Sequence, residues 1–199
     1  MKKKVTLFQK NGQFLIRYLI ERIFLEKNVY CCLLKRLQRL WAPKKMNRIE
    51  INKSVLAGFF SAITIGALTL LTYKTEFGVF LIASFGSSMV LLFGYPESPF
   101  AQPKNIFFGH LLTSLVGMFF LYLIPLPLYI IIPISVGFGV GLMILLKITH
   151  PPAGGNPIII IMGSVSPDYL INPIIIGTGI ILIFGVVLNR LILKKKYPI

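Results

Sequence analysis

Charged residues are scarce in this chain. Only 14% of its 199 residues are charged, whereas 55% are hydrophobic, and the mean hydropathy is +0.79. Soluble domains contain about 25% charged residues. The scarcity therefore argues against a soluble domain and indicates a membrane protein.

Acidic residues are fewest of all, and the basic ones are unevenly placed. The chain has 6 acidic residues against 21 Lys and Arg, and 14 of those 21 lie in residues 1–53. From Ser54 to Leu193 the acidic residues are Glu76, Glu97 and Asp168, and none lies within an apolar run. This excludes a catalytic carboxylate pair inside the membrane. Because the basic residues flank apolar runs, we expect anionic lipid headgroups as partners, and no nucleic acid.

Cysteine is nearly absent, and so are nucleotide-binding motifs. Cys31 and Cys32 are adjacent, so they cannot link distant parts of the chain. No CxxC or Cys/His spacing suits a metal ion, and no P-loop is present. The sequence therefore predicts no metal, no cofactor and no direct drive by ATP.

Long apolar runs are what the chain has in abundance. A helix of about 20 apolar residues crosses the hydrocarbon core, and backbone groups in lipid must be hydrogen-bonded within their own segment. These requirements predict an all-α, polytopic membrane helix bundle. The runs are residues 54–73, 77–93, 106–124, 128–146 and 174–193, together with 157–165, which is too short to span alone.

Basic residues beside the first and last runs predict the orientation. Residues 42–53 and 189–199 are both basic, which places both termini in the cytoplasm. The expected membrane is the cell (inner) membrane, or a plastid membrane if the source is photosynthetic. Both termini on one side require an even number of crossings. Six crossings are favoured, and four crossings with two re-entrant segments also satisfy the rule.

Three parts of the chain differ in composition. Residues 1–53 mix apolar and charged residues and predict an amphipathic helix on the membrane surface; the alternative is a cleaved targeting segment. Residues 54–193 form the transmembrane domain. Residues 194–199 form a basic cytoplasmic tail, and self-association of the chain stays open.

Glycines in the apolar region recur in two sets. The offset between the sets is 69 residues and falls to 68. The spacing predicts a 3+3 inverted repeat with two interrupted or re-entrant helices, an arrangement typical of transporters; the alternative is that small residues only allow close helix packing. The pairs are Gly86 and Gly155, Gly94 and Gly163, Gly109 and Gly177, and Gly117 and Gly185, with Ser98-Pro99 matching Ser166-Pro167.

One interruption lies in the stretch ITHPPAGGNPIIII. Pro151 and Pro152 disfavour continuation of the preceding helix, and Gly154 and Gly155 permit unusual backbone conformations. Asn156 before a proline predicts the start of a short helix with the asparagine side chain as its cap. The free N–H groups of that helix would face the bend and suit an anion.

The other interruption, Gly86-Ser87-Ser88, offers two hydroxyls to the same anion. His150 is an ionisable group at a membrane break, and it has three candidate roles: donating to the anion, carrying a coupled proton, or bonding a broken carbonyl. His110 has no break around it, so a helix–helix hydrogen bond is expected. The predicted substrate-binding residues are His150, Pro151, Pro152, Gly154, Gly155, Asn156, Gly86, Ser87 and Ser88.

The motifs THPPAGGNP and FGSSMVLLFGYPESPFAQPKN together resemble the HPP family of integral membrane proteins, over about Ser54 to Leu193. The family is described as having four transmembrane helices, and its plastid and cyanobacterial members are associated with nitrite transport. The resemblance implies a transporter or channel for a small inorganic anion such as nitrite, and not an enzyme. The alternatives are a membrane scaffold or sensor module and, less favoured, a hydrolase using Ser87 or Ser88 with His150. The implied motif positions are Gly86, Ser87, Ser88, Pro96, Pro99, Gln102, Pro103, Asn105 and residues 150–157.

Overall fold

A computed structural model describes residues 46–75 and 78–199, and no strand occurs among them. The amphipathic helix expected within residues 1–53 falls mostly outside this range and stays a prediction. The α-helices of the described part are α1 (Arg48–Lys74), α2 (Ala83–Met89), α3 (Pro103–Leu123), α4 (Leu128–Leu145), α5 (Asn156–Gly163) and α6 (Thr178–Val187).

Shorter helical turns extend these helices. A π-helix, Val90–Gly94, continues α2, and 3-10 turns precede α3 and α5 at Pro99–Ala101 and Pro151–Gly155. The last helical segment combines a 3-10 turn, Pro167–Leu170, with π-helices on both sides of α6, at Ile171–Gly177 and Leu188–Ile192.

The all-α membrane bundle predicted from the apolar runs is confirmed. Among the described residues, four helices are long and apolar enough to cross a membrane: Arg48–Lys74, Pro103–Leu123, Leu128–Leu145 and Pro167–Ile192. Two apolar helices are shorter, Ala83–Gly94 and Asn156–Gly163. The interruption predicted at Gly86-Ser87-Ser88 is wrong, because these residues lie inside the regular helix α2. The non-helical backbone of this region lies before α2, at residues 78–82, and the predicted second interruption likewise lies before α5.

Each short helix, with the segment before it, runs along the bundle. Thr149 O accepts from Asn105 Nδ2 in the first turn of α3 (2.9 Å), whereas Val165 O accepts from Tyr122 Oη at the other end of α3 (2.7 Å). The residues between 149 and 165 therefore pass from one end of α3 to the other. The α2 segment likewise starts beside the end of α1, where Phe80 N donates to Thr72 Oγ1 (3.0 Å).

The turn after α4 brings His150 into the bundle. Lys147 has φ +54°, the left-handed conformation that closes many helix C-termini. Its N–H donates to Ile144 O (3.1 Å), and Ile148 N–H donates to Met143 O (3.0 Å). These two bonds satisfy the last carbonyls of α4 and reverse the chain toward α3.

The two halves of the described region share the order long helix, short helix, long helix. In the first half, a long helix (α1) is followed by a short helix (α2), a 3-10 turn and a long helix (α3). In the second half, a long helix (α4) is followed by the 3-10 turn Pro151–Gly155, a short helix (α5) and the long segment Pro167–Ile192, which begins with a 3-10 turn.

Glycines on the last long helix of each half make equivalent contacts with the other half. A Cβ on Gly109 would lie 3.3 Å from Ile148 O, and one on Gly177 would lie 2.7 Å from Phe80 O. Gly177 follows Gly109 by 68 residues, and Ile148 follows Phe80 by the same 68. Each glycine thus allows close approach to the backbone that precedes the other half's short helix.

A second pair of glycines repeats this relation further along the same helices. A Cβ on Gly117 would lie 3.2 Å from Ile160 Cβ, and one on Gly185 would lie 2.6 Å from Leu92 Cδ1. Both the glycines and their partners are again separated by 68 residues. The last long helix of each half therefore packs against the short helix of the other half.

The tail folds back onto the bundle. Tyr197 is fully buried, its hydroxyl donates to Ala101 O (2.8 Å), and its own carbonyl accepts from Arg190 Nε (2.6 Å). Burial raises the pKa of the Tyr197 phenol, which therefore stays protonated and able to donate. The tail thereby covers the 3-10 turn that precedes α3.

Candidate functional site

Six buried polar side chains meet where the two short helices contact α3. All six are at most 5% exposed. α2 contributes two serines, α3 contributes a histidine and a serine, and the second interruption contributes a histidine and an asparagine. This central polar cluster consists of Ser84, Ser88, His110, Ser114, His150 and Asn156.

Helical spacing explains which residues of α2 and α3 take part. Ser84 and Ser88 are four residues apart and lie on one face of α2; His110 and Ser114 have the same spacing on α3. Ser87 lies on another face of α2 and is exposed. Which polar residues belong to the cluster therefore depends on how each helix is rotated about its own axis.

His150 is held from both ring nitrogens. Its Nδ1 lies 2.8 Å from Phe100 O, and its Nε2 lies 2.8 Å from Ser88 Oγ. A carbonyl oxygen only accepts, so Nδ1 carries the hydrogen and donates it to Phe100. In the neutral ring Nε2 is therefore the acceptor, and the Ser88 hydroxyl donates to it.

His110 has the opposite tautomer. Its Nδ1 lies 3.1 Å from Asn156 Nδ2, and its Nε2 lies 3.1 Å from Ser88 Oγ. An amide NH₂ only donates, so His110 Nδ1 accepts and its Nε2–H donates to Ser88. Both imidazoles thus form a hydrogen bond with the same hydroxyl: Ser88 Oγ accepts from His110 and donates to His150.

Asn156 joins the two short helices and α3. Its Oδ1 accepts from Ser84 Oγ (2.8 Å), while its Nδ2 also lies 3.0 Å from Ser114 Oγ and 3.2 Å from His110 O. The carbonyl of His110 fixes which end of the amide is the NH₂. A single side chain therefore connects α2, α3 and α5.

Five hydrogen bonds of the cluster form one chain with a single donor-to-acceptor direction. They lead from the Ser84 hydroxyl through Asn156, His110, Ser88 and His150 to the Phe100 carbonyl. Within residues 46–75 and 78–199, the buried side-chain polar atoms without a partner lie outside the cluster, on Thr178 and Asn189. Buried networks of this kind are stable only when every member is satisfied, and this one is.

Apolar and aromatic groups enclose the cluster. The rings of His110 and His150 are 5.0 Å apart, and Phe85 packs edge-on against His110 at 5.2 Å. Phe85 is fully buried, and the absence of a side chain at Gly109 leaves room for His150, because a Cβ added to this glycine would lie 2.8 Å from His150 Cβ. The cluster is closed to solvent in this conformation.

The cluster extends from near one end of α3 to its middle. Phe100 precedes α3, which begins at Pro103. At 1.5 Å per residue, His110 lies about 10 Å and Ser114 about 16 Å along a helix of about 31 Å. Ser114, which Asn156 contacts, thus lies near the middle of α3, whereas His150 lies nearer to the start of α3.

The structure brings three of the predicted site residues together, namely Ser88, His150 and Asn156. The prolines and glycines of the second interruption form the 3-10 turn, with Pro151 exposed and Pro152, Gly154 and Gly155 partly buried. Gly86 and Ser87 are exposed and do not reach the cluster. The helix–helix hydrogen bond expected of His110 is confirmed by its contacts with Ser88 and Asn156.

Ser84 and Ser114 were missed by the sequence reasoning. Each lies four residues from another member of the cluster, Ser84 from Ser88 and Ser114 from His110. That spacing was the available signal, because polar residues four apart in an apolar helix share one face.

The predicted capping role of Asn156 is wrong, although α5 does begin at this residue. The N-cap position is Gly155, and Asn156 N–H donates to Ala153 O. The 3-10 turn runs directly into α5, so the backbone donor at Asn156 is already bonded and does not face a bend. The side chain is therefore released to bind Ser84, His110 and Ser114.

Metal-binding groups do not gather in the part of the chain that the structure describes. No three His, Cys, Asp or Glu side chains come together there. What the cluster offers chemically is a set of neutral hydrogen-bond donors and acceptors.

Comparison with known proteins places the chain among membrane proteins. The family model of the HPP transmembrane region matches residues 44–198. Two transmembrane proteins of Dictyostelium discoideum are similar: one is 28% identical over 165 residues, which are 79% of this chain and 53% of that protein. The other is 31% identical over 160 residues, which are 75% of this chain and 55% of that protein.

The chain spans about half the length of these curated relatives. No solved structure matches it. Since the family model covers most of the chain, including both motifs around the central polar cluster, this protein belongs to the HPP family of integral membrane proteins.

Proposed function

We propose that the chain transports a small inorganic anion, with nitrite as the first candidate, through the central polar cluster. One observation carries the proposal: Ser88 on the short helix α2 and His150 at the break before the short helix α5, 62 residues apart, meet at 2.8 Å inside the bundle. Non-helical backbone and polar side chains are tolerated at membrane depth where they line a pathway or are buried in protein. Their convergence from both halves supports a pathway.

The chemistry of the cluster favours an anion over a cation. The cluster contains three hydroxyls, one carboxamide and two imidazoles, and no carboxylate. Hydroxyl, amide and imidazole hydrogens can all be donated to an anion, as in other sites that bind anions without a fixed positive charge. A cation would find no negative side chain there.

In the proposed transporter, this conformation is the closed state. The donors of Ser84, Ser88 and Asn156 are engaged within the cluster. An anion binds when the short helices separate from α3 and these donors turn from one another to the solute. The exchange keeps the number of hydrogen bonds about constant, which keeps the free-energy difference between the two states small.

The proposed transporter is a 3+3 inverted repeat that crosses the membrane six times. The equivalent contacts of Gly109 and Gly177, and of Gly117 and Gly185, support it. So does the passage of the segment 149–165 along the whole of α3. In such repeats one half rocks against the other, and the exposed face of the site alternates.

We further infer that the end of the bundle with the start of α3 faces the cytoplasm of an inner membrane. The contact between Tyr197 and Ala101 brings the tail, with Lys194–Lys196, to that end. Lys104 and Lys147 lie there too and are exposed. This distribution follows the positive-inside rule and gives anionic lipid headgroups a binding surface.

The test is anion uptake into proteoliposomes that contain the full chain. We expect uptake of nitrite above that of protein-free liposomes, and a panel with nitrate, formate, sulfate and chloride ranks the substrates. His150→Ala removes the group that closes the line of hydrogen bonds, so we expect its initial rate to fall at least about tenfold, equivalent to about 1.4 kcal/mol. Wild-type rates in this variant would contradict the site, and no uptake of any anion by the wild type would contradict the function.

A membrane hydrolase is the second candidate, favoured by one contact. Ser88 Oγ, His150 Nε2 and the Phe100 carbonyl form a nucleophile, base and orienting group at 2.8 Å separations. Against it, Ser88 is fully buried and also bonds His110. Covalent labelling of Ser88 by a serine-reactive phosphonate, absent in Ser88→Ala, would favour this candidate over transport.

A further inference from the structure

We propose that His150 takes up a proton through Ser88 whenever an anion binds, so that each anion crosses the membrane together with one proton. This inference rests on the proposed anion transport and specifies how it is coupled. It is carried by the hydrogen-bond geometry around one hydroxyl.

Ser88 Oγ has three partners and one hydrogen. It lies 2.8 Å from His150 Nε2, 3.1 Å from His110 Nε2 and 3.1 Å from Ser84 O. Ser88 Oγ is also within donating distance of Ser84 O, but its single hydrogen cannot serve both acceptors, and the neutral tautomer assigned to His150 directs it to Nε2. The hydroxyl therefore has an unused acceptor within reach.

One added proton gives a second, fully bonded arrangement. A proton on His150 Nε2 makes that nitrogen a donor to Ser88 Oγ, and the Ser88 hydrogen rotates to Ser84 O. Ser88 then accepts from both imidazoles and donates once, which uses its two lone pairs and its hydrogen. His150 Nδ1 still donates to Phe100 O. In the closed conformation the cluster thus accommodates the proton by the rotation of one hydroxyl, and the anion enters by the separation of the short helices from α3 proposed above.

His110 does not have this freedom. Its unprotonated nitrogen, Nδ1, faces Asn156 Nδ2 at 3.1 Å, so a proton there would oppose two donors. Turning the amide would place Asn156 Oδ1 against the His110 carbonyl, which Nδ2 contacts at 3.2 Å. The geometry therefore directs the added proton to His150.

A proton on His150 needs a negative partner that the described residues do not supply. No charged residue occurs within α2, α5 or the 3-10 turns beside His150. The nearest charged side chains on adjoining elements, Lys104 on α3, Lys147 after α4 and Glu97 before the 3-10 turn, are exposed. The other titratable groups toward this side are His110 and Tyr197, and the Tyr197 hydroxyl is bonded to Ala101 O.

The transported anion supplies that partner. A charge buried without a counter-ion is strongly disfavoured, and this holds for the imidazolium and for the anion alike. When both are present, the pair is neutral and each is stabilised by the other. Binding of the two is therefore mutually dependent, which is the requirement for coupled movement.

The experiment uses the full chain in proteoliposomes at alkaline pH, with nitrite as the probe and pyranine inside to report lumenal pH. Protein-free liposomes give the background from nitrous acid that crosses the lipid by itself. Above that background, we expect one proton to enter per nitrite. With equal potassium on both sides, we expect the potassium carrier valinomycin to leave the rate of nitrite uptake unchanged. If the anion crossed without a proton, a membrane potential would build up and slow its uptake. Valinomycin dissipates that potential and would therefore increase the uptake rate severalfold.

The outcomes separate the two proposals. Nitrite uptake that valinomycin accelerates, without acidification, would overturn proton coupling and leave anion transport intact. Absence of uptake for every anion of the panel would overturn both. His150→Gln, which keeps an amide donor but cannot carry the proton, is expected to lose protein-dependent acidification; wild-type acidification in this variant would also overturn the coupling. Ser61→Ala is the control, since that hydroxyl bonds the Ala57 carbonyl of its own helix.

Discussion

Asn156→Ala is expected to lower the free energy of unfolding by about 3 kcal/mol and the initial rate of anion uptake at least about tenfold. Asn156 bonds Ser84, His110 and Ser114, which belong to two other helices. A polar contact between membrane helices contributes about 0.6–1.7 kcal/mol. The substitution removes several such contacts at once and leaves a cavity.

The loss of activity has a separate cause from the loss of stability. Without the amide, nothing fixes the tautomer of His110, and its Nε2–H is no longer committed to Ser88. Asn156→Leu separates the two effects: its side chain fills most of the space of the amide, which limits the cavity, but it can neither donate to His110 or Ser114 nor accept from Ser84. We therefore expect it to lose less stability than alanine and to impair uptake as strongly.

Unfolding of detergent-solubilised protein in SDS measures the stability, and proteoliposome flux measures the activity. Asn47→Ala is the matched control. Asn47 caps α1 through a reciprocal pair of bonds with Glu50, far along the chain from the cluster, and its loss costs about 1 kcal/mol. Equal behaviour of the two alanine variants would show that Asn156 has no special role.

Gly177→Ala is expected to destabilise the bundle by about 2–3 kcal/mol. The added methyl would lie 2.7 Å from Phe80 O and 2.8 Å from Phe85 Cε2. Phe80 O is backbone, and Phe85 is packed against His110, so neither yields without moving its neighbours. Displacement of Phe85 would push His110 away from Ser88 and lower anion uptake as well.

Gly179→Ala provides the control on the same helical segment. A Cβ at Gly179 meets nothing within 4 Å, so alanine there is expected to be neutral or stabilising by up to about 1 kcal/mol, from its higher helix propensity. The melting temperatures of the Gly177→Ala and Gly179→Ala proteins, measured in the same detergent, test this difference in stability. Equal melting temperatures would contradict the close packing of the last helical segment against Phe80 and Phe85.

Gly109→Ala extends the comparison to the other half of the chain. Its methyl would lie 2.8 Å from His150 Cβ and 3.3 Å from Ile148 O. If the halves are equivalent, the variants at 109 and 177 lose stability to a similar extent. A large effect at only one of them would count against the inverted repeat.

The class of the protein and the position of the second interruption could be predicted from the sequence, whereas the first was misplaced at Gly86-Ser87-Ser88, which is helical. The membrane bundle follows from long apolar runs and scarce charge, because transfer into lipid depends on the composition of each segment alone. The 3-10 turn at Pro151–Gly155 follows from proline and glycine, whose backbone preferences are equally local. The start of α5 at Asn156 was predictable for the same reason.

Which polar groups meet depends on contacts between distant parts of the chain. Ser87 and Ser88 are neighbours in sequence, but successive residues of an α-helix point about 100° apart, and only Ser88 faces the histidine-bearing elements. The partners of Asn156 come from residues 42 to 72 positions away, so its change from helix cap to cross-link could not be read locally. How far each helix is rotated about its axis depends on packing against distant segments, and that rotation placed Ser84, Ser114 and His110 in one cluster.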